Sequence, residues 1–427
     1  MGRIADVGAP VAGHAGPKSR EALAAALADA RDYTRRCYAH LAGGDPVFPC
    51  IAIVNPARWE LGHIGWFQEF WCRRWRPDDR AGARTPARIA NADALWNSSR
   101  VPHDSRWALP LPDWAGIDRY LGETYADTMT SLATSGDGER YPYELSLYHE
   151  DMHGEALLMT LQTLGYAPPA GFPPPPGVGR AAPVRDIAFV GGALGMGSTP
   201  DDERERFVVD NEKLRQRVDV GAFAIASRTV TEDEFAAFVD DGGYRRSDLW
   251  SEDGRRWLAV AGRTVPAYWR PCGSGYEVRW FDRWRPLSPG TAIQHVNAYE
   301  AEAWCAWAGR RLPTEAEWEF AATRAGSAVG ARLDAREAGP GAAEAGAGAP
   351  AHLLGNVWEW TSTPFGPYPG FAPDRYADYS APWFGDHRVI RGGSWATRSR
   401  LVHARFRNYY QPHRHDVFAG FRTCAVG

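Results

Sequence analysis

A proline-rich run cuts this chain in two. Residues 166–186 read YAPPAGFPPPPGVGRAAPVRD, and a segment with this much proline lacks backbone donors and clashes with the preceding helical turn, so it reads as a semi-rigid spacer. At 427 residues the chain is also too long for one ordinary core. The pattern predicts two domains, 19–165 and 187–427, joined by the 166–186 linker. Residues 1–18, rich in Gly, Ala and Pro, are expected to fray.

The two halves differ in periodicity. Before the spacer, apolar residues recur at helical spacing over 19–41, with Ser19 as N-cap, and again over 58–75, 114–133 and 143–165. Four such segments predict an antiparallel four-helix bundle. After the spacer, short apolar runs (IAFVGGALGMGS, RFVVDNE, VDVGAFAIASRTVT) alternate with Gly-rich turns, helices are expected over 232–242 and 297–309, and the low-complexity stretch 335–350 reads as a surface loop. The expected class is a two-domain protein, α followed by α+β with small sheets and large loops.

Charge and cysteine usage narrow the function. Forty-eight basic residues against 52 acidic ones leave a net charge of −4, so nothing in the balance favours nucleic acid as a partner. No stretch approaches the ~18 uncharged apolar residues of a membrane helix, and no membrane partner is expected. Six cysteines without a CxxC, and no apolar leader, predict reduced thiols and a cytoplasmic protein. Nineteen tryptophans, most of them beyond residue 245, mark a loop-rich domain held by large side chains or a site for cations and rings.

The chemistry starts with histidine. His149 and His153 in LYHEDMHGEALL stand four apart on an expected helix, so their imidazoles project from one face one turn apart, as two ligands of one metal must. His63, in WELGHIGWFQEF on another helix of the same bundle, is the natural third, because bundles build metal sites from facing helices. Three neutral imidazoles with no committed carboxylate suit Zn²⁺ or Fe²⁺ and leave positions open for guests. Residue chemistry leaves iron and zinc open. A zincin peptidase carries little weight.

Four blocks of the second half, RRLPTEAEWEFAA (310–322), GNVWEWTSTPF (355–365), RVIRGGSW (388–395) and FAGFRTC (418–424), in that order resemble the formylglycine-generating-enzyme (sulfatase-modifying factor) fold, a C-type-lectin-like architecture. The first half resembles the DinB-type metal-binding four-helix bundle. Their fusion, over residues 20–427, is similar to the EgtB-like ergothioneine sulfoxide synthases. Those are non-heme iron oxygenases that use O2 to join a sulfur donor to imidazole C2 of hercynine, the trimethylated betaine of histidine.

The resemblance implies Fe(II) held by His63, His149 and His153, O2 as co-substrate, and an active site between the domains. It implies that Tyr376 and Tyr379, in RYADYS, are the family's catalytic tyrosine pair. Tyr376 matches the proton donor; a phenol of pKa ~10 keeps its proton until a basic oxygen species forms. Asn408, Tyr409 and Tyr410, in RNYYQPHRH, match the segment that recognises substrate. Asn can fix a carboxylate or ring nitrogen, and tyrosine faces attract a quaternary ammonium.

Two departures bear on the donor. The ergothioneine enzymes carry Gln immediately before the second bundle histidine, where this chain has Met152, so the hercynine carboxylate must be held differently. Residues 93–114, DALWNSSRVPHDSRWALPLPDW, replace an arginine-rich segment that pairs with carboxylates of cysteine or γ-glutamylcysteine. Arg100 and Arg106 remain, among Ser98, Ser99, His103, Asp104 and Trp107. Hydroxyls, a carboxylate and an indole suit a sugar, and the block resembles that of the selenoneine synthases (SenA-type), which use a selenosugar. The leading expectation is therefore C–Se bond formation between 1-seleno-glucose and hercynine. The alternatives are C–S bond formation with cysteine or γ-glutamylcysteine, a zinc-dependent thiol transferase, formylglycine generation, and a binding protein with a structural metal.

Overall fold

The computed structural model describes residues 19–44, 46–136, 139–172, 181–324, 334, 339–341 and 349–427. The stretch 1–18, the proline core of the spacer (173–180) and most of 335–350 lie outside the described residues. The chain divides into two compact units, Ala15–Gly171 with Arg204–Phe207, and Phe172–Glu203 with Val208–Gly427.

The first unit is helical: α1 Arg20–Tyr38, α2 Ala57–Glu69, a short α3 Ala92–Trp96, α4 Trp114–Thr134 and α5 Tyr141–Leu164. Ser19 Oγ accepts from the Ala22 N–H at 3.1 Å and an Asp113 oxygen from Gly116 at 2.8 Å, satisfying donors that a helix start leaves orphaned. α5 stops at Gly165, whose φ of 68° needs no Cβ. A π-helical turn, Phe70–Arg74, continues α2. α2 packs on α4, and α1 on α5. Between them the buried Arg31 guanidinium of α1 donates to Glu150 of α5 at 2.8 and 3.2 Å and to Gln68 of α2 at 3.0 Å. It also donates to the Leu121 carbonyl of α4; a buried cation must find partners, so this one residue ties four helices together.

Phe207 was unforeseen in this unit. Its ring stacks on Tyr148 at 5.0 Å, and the run around it, read as a short apolar segment of the second domain, forms no strand. Val208 and Val209 are buried in irregular chain, and Asp210–Glu212 make a single 3₁₀ turn.

One close approach shapes the face of α2. A Cβ at Gly62 would stand 2.1 Å from Trp96 Nε1, so only glycine lets the buried Trp96 indole lie against the helix. That indole is stacked on Tyr120 at 5.2 Å. Gly62→Ala should lower stability by about 1–3 kcal/mol through overpacking. Urea denaturation measures it; an unchanged midpoint would mean that Trp96 shifts freely.

The second unit holds thirteen strands in four small sheets among the described residues. β1 Asp186–Phe189, β4 Phe223–Ala226, β13 Cys424–Ala425 and β8 Arg310–Arg311 form one sheet in that order. β11 Arg407–Tyr410, β10 Arg388–Arg391, β9 Trp358–Pro364 and β12 Ala419–Gly420 form another. β2 Gly192–Met196 pairs with β3 Gln216–Val220, and β5 Trp269–Cys272, β6 Gly275–Trp280 and β7 Arg283–Pro286 make a meander. The expected helices appear as α7 Glu232–Asp240 and α9 Ala298–Trp307, each opened by a capping box (Thr231/Glu234 and Asn297/Glu300). α6 Pro200–Glu205, α8 Glu252–Ala261 and α10 Glu315–Arg324 are additional.

The four signature blocks meet in the core of this unit. Arg391 of β10 pairs with Glu315 at 3.0 Å and with Glu319, both on α10. Arg422 pairs with Glu359 of β9 at 2.8 Å, and the Trp318 indole N–H donates to the same carboxylate at 2.8 Å. These side chains, and those of Trp358, Trp360 and Trp395, are fully buried. No helix among the described residues is long and apolar enough to cross a membrane.

Candidate metal centre

α2 and α5 bring three imidazoles together. Nε2 of His149 lies 3.2 Å from Nε2 of His63 and 3.1 Å from Nε2 of His153. One nitrogen from each falls within 4.8 Å of the others. Nitrogens bound at ~2.1 Å to one cation stand ~3.0 Å apart at right angles and ~3.4 Å apart in a tetrahedron. The measured spacing lies between these limits.

The tautomers are set by what stands behind the rings. A carbonyl can only accept, so His63 Nδ1 carries the proton it gives to the Trp96 carbonyl at 2.8 Å. His153 Nδ1 likewise gives its proton to the Glu60 carboxylate. Both Nε2 atoms are therefore left with lone pairs aimed at His149, a crowd of acceptors that a cation would satisfy. Burial pushes His63 down to about 3 and His149 well below the usual imidazole range, so both are neutral and ligand-ready at neutral pH. The residues present fit a divalent metal. The same face-to-face packing holds the rings: His149 lies flat on Phe67 at 3.6 Å and His63 on Trp59 at 5.0 Å.

Among the described residues no carboxylate joins the three imidazoles as a ligand-type group, but one stands behind them. Glu60, buried on α2, stands one shell out from the site through His153. Burial raises its carboxyl, but the hydrogen bond from His153 and the charge of Arg106 work against that and hold it below its ordinary value. Glu60 and His63 are three apart on one helix face, a spacing that by itself does not mark a carboxylate as part of a site.

The segment 149–153 spells H-E-x-x-H letter for letter, so spacing alone gives no ground for setting a zinc peptidase aside. The structure supplies the ground. The base such an enzyme needs would be Glu150, and its carboxylate is buried under the Arg31 guanidinium at 2.8 Å. It cannot reach a metal-bound guest.

The residues of 93–114 separate into two groups. Ser98 and Arg100 are exposed on the turn after α3. His103 and Arg106 face inward. His103 Nε2 bonds the Val54 carbonyl at 2.8 Å and its Nδ1 bonds Asp104 at 2.9 Å, so both ring nitrogens are engaged. Arg106 donates to Asn55 at 2.7 Å and lies 3.9 Å over the face of Trp59, the ring that stacks on His63. Met152 is half-buried on α5 beside His153.

The second unit gathers its own candidates. Tyr376 and Tyr379 have ring centres 6.2 Å apart, and the Tyr409 hydroxyl donates to the Tyr379 carbonyl. Tyr409 is stacked on Phe365 at 3.9 Å. Burial pushes the Tyr376 phenol up to about 12 and raises Tyr379 further, so both keep their protons throughout the physiological range. On β11, Asn408 Oδ1 accepts from the Tyr409 N–H at 2.8 Å, and the Arg414 guanidinium lies 5.2 Å over the Tyr410 ring.

All six cysteines are free thiols. Burial raises the Cys305 thiol and pushes Cys424 up to about 12. Neither supplies the reactive thiolate that formylglycine generation requires.

Known proteins resemble this chain over most of its length. Residues 179–349 and 349–426 match the sulfatase-modifying factor enzyme 1-like domain. Over 402 residues the chain is 37% identical to the hercynine oxygenase of Mycolicibacterium thermoresistibile, covering 87% of each. It is 35% identical over 433 residues to the hercynine oxygenase of Mycolicibacterium smegmatis, covering 95% of this chain and 98% of that one. A shorter match, 28% over 237 residues, joins 53% of this chain to 28% of the ergothioneine biosynthesis protein 1 of Schizosaccharomyces pombe. A helical unit with three convergent histidines, followed by a sulfatase-modifying-factor domain, defines an oxygenase. The chain belongs to the hercynine oxygenase family.

Proposed function

We propose that the helical unit is a DinB-type four-helix metal-binding bundle and that the protein is an Fe(II)/O2 enzyme joining a selenosugar, 1-seleno-glucose, to imidazole C2 of hercynine. The observation that carries the metal assignment is the convergence of three Nε2 atoms, with the tautomers of His63 and His153 leaving their Nε2 lone pairs facing His149. Bound there, Fe(II) supplies the site at which O2 is reduced as the new bond forms. The reaction balances as hercynine C–H plus selenol Se–H plus O2 giving a C–Se selenoxide and water. His63, His149 and His153 hold the metal and leave positions for guests. Tyr376 supplies a proton, which its raised pKa keeps in place until a strong base appears. Tyr379 completes the catalytic pair with Tyr376, and Asn408, Tyr409 and Tyr410 orient the betaine, with Met152 in place of an amide. Ser98, Arg100, His103 and Arg106 belong to the donor segment.

The commitment of Arg106 supports a sugar donor. Its guanidinium is already bonded to Asn55 and to the Val101 carbonyl and laid on Trp59, so fewer of its donors remain for the carboxylate of an amino-acid thiol. Exposed hydroxyls such as Ser98 suit a sugar. The relatives favour a second reading, C–S bond formation with cysteine or γ-glutamylcysteine, since their names place them in hercynine oxidation and ergothioneine biosynthesis.

Incubating the iron-loaded protein with hercynine, O2 and each donor in turn, and weighing the products by mass spectrometry, separates the two. The selenosugar should give the hercynyl adduct and the thiols little. Efficient turnover of γ-glutamylcysteine or cysteine with no selenium adduct would establish the sulfur reaction instead. Activity that survives anaerobically with zinc would discard both.

A further inference from the structure

Glu60 is a costly residue to bury. Its side chain is about nine-tenths removed from solvent; one oxygen accepts the His153 Nδ1 proton, and the other is buried with no hydrogen-bond partner. The Arg106 Nε is likewise buried and unpartnered. An anion taken out of water with half its acceptors idle costs several kcal/mol unless a positive charge compensates. A neutral oxygen would have oriented His153 equally well. His63, in the same site, is held by the Trp96 backbone carbonyl. The charge therefore needs a separate reason, and the cation that the three imidazoles would surround supplies one.

We infer that Glu60 is a positioning residue for the metal. It fixes His153 with its Nε2 lone pair inward and places one negative charge behind an otherwise neutral ligand set. Resting on the metal assignment proposed above, this goes beyond it in two ways. Pulling on the Nδ1 proton makes His153 a stronger donor than His63, so the site binds divalent metal more tightly than three neutral imidazoles do. It also stabilises the ferric state over the ferrous, because the added charge interacts more strongly with the higher cation charge.

The test uses the full chain. Co²⁺ titration followed by visible absorption, and the Fe(III)/Fe(II) potential of the iron-loaded protein, are compared for wild type, Glu60→Gln and Glu60→Ala, with circular dichroism as the check on folding. Gln keeps an oxygen of the same shape and removes only the charge; Ala removes both. Both variants should bind Co²⁺ about 10–100-fold more weakly, and the potential should rise. The Gln variant, the less disruptive, decides the matter if the Ala protein does not fold. Wild type failing to bind Co²⁺ would remove the metal assignment itself. Wild type that binds, with both affinity and potential unchanged in Glu60→Gln, would overturn the role of Glu60 alone.

Discussion

Replacing His149 by alanine abolishes metal loading and lowers turnover by at least about two orders of magnitude, more than the 10–100-fold loss that follows removal of an outer partner of a metal ligand. His149 is the member whose Nε2 lies within 3.2 Å of both others, so its removal leaves only two imidazole donors. Its ring is also sandwiched flat against Phe67 at 3.6 Å, and the neighbouring helices are tied independently by Arg31, Glu150 and Gln68. The variant should therefore fold. Metal content after reconstitution, circular dichroism and product formation read the three properties separately. A folded variant that retains one metal per chain and full turnover would remove His149 from the site.

The second large effect concerns stability. Arg391→Met should cost about 3–5 kcal/mol, the range for removing one partner of a buried ion pair. Arg391 is fully buried and bridges Glu315 and Glu319, while its guanidinium also donates to the Ala404 carbonyl at 2.7 Å. Glu315 keeps Arg407 at 2.6 Å as a partner, but Glu319 is left as a buried carboxylate without its cation. Arg256→Met is the control, because Arg256 makes its pair with Glu252 at 3.1 Å with both side chains mostly exposed; exposed pairs contribute at most about 1 kcal/mol. Urea midpoints for the two variants give the comparison directly. Equal, small shifts would mean that the buried network relaxes around the loss.

The Arg391 network also shows where the amino-acid sequence is legible and where it is not. The blocks 310–322, 355–365, 388–395 and 418–424 stand out by their resemblance to a known fold, yet their spacing does not say why Glu315, Glu359, Arg391 and Arg422 belong together. Only the tertiary fold makes them buried ion-pair partners. Helices with strong local signals were readable: Ser19 caps α1 as its type suggests, and the four-residue spacing of His149 and His153 puts both on one face of α5. Glu60 was not readable as part of the site. Its role depends on which ring nitrogen it meets across a helix interface, a contact 93 residues apart in sequence. Arg106 was readable as a donor-segment cation but not as one already committed to Asn55 and Trp59. Phe207 was missed for a different reason. Hydrophobic periodicity reports that a residue is buried, and not which unit buries it.

Iron-edge anomalous diffraction from crystals loaded anaerobically with Fe(II) tests the central claim most directly. The account predicts one strong peak per chain, about 2.1 Å from Nε2 of His63, His149 and His153. A peak at the other described cluster of ligand-type side chains, Cys50, His103 and Asp104, or none near the three histidines, would contradict it.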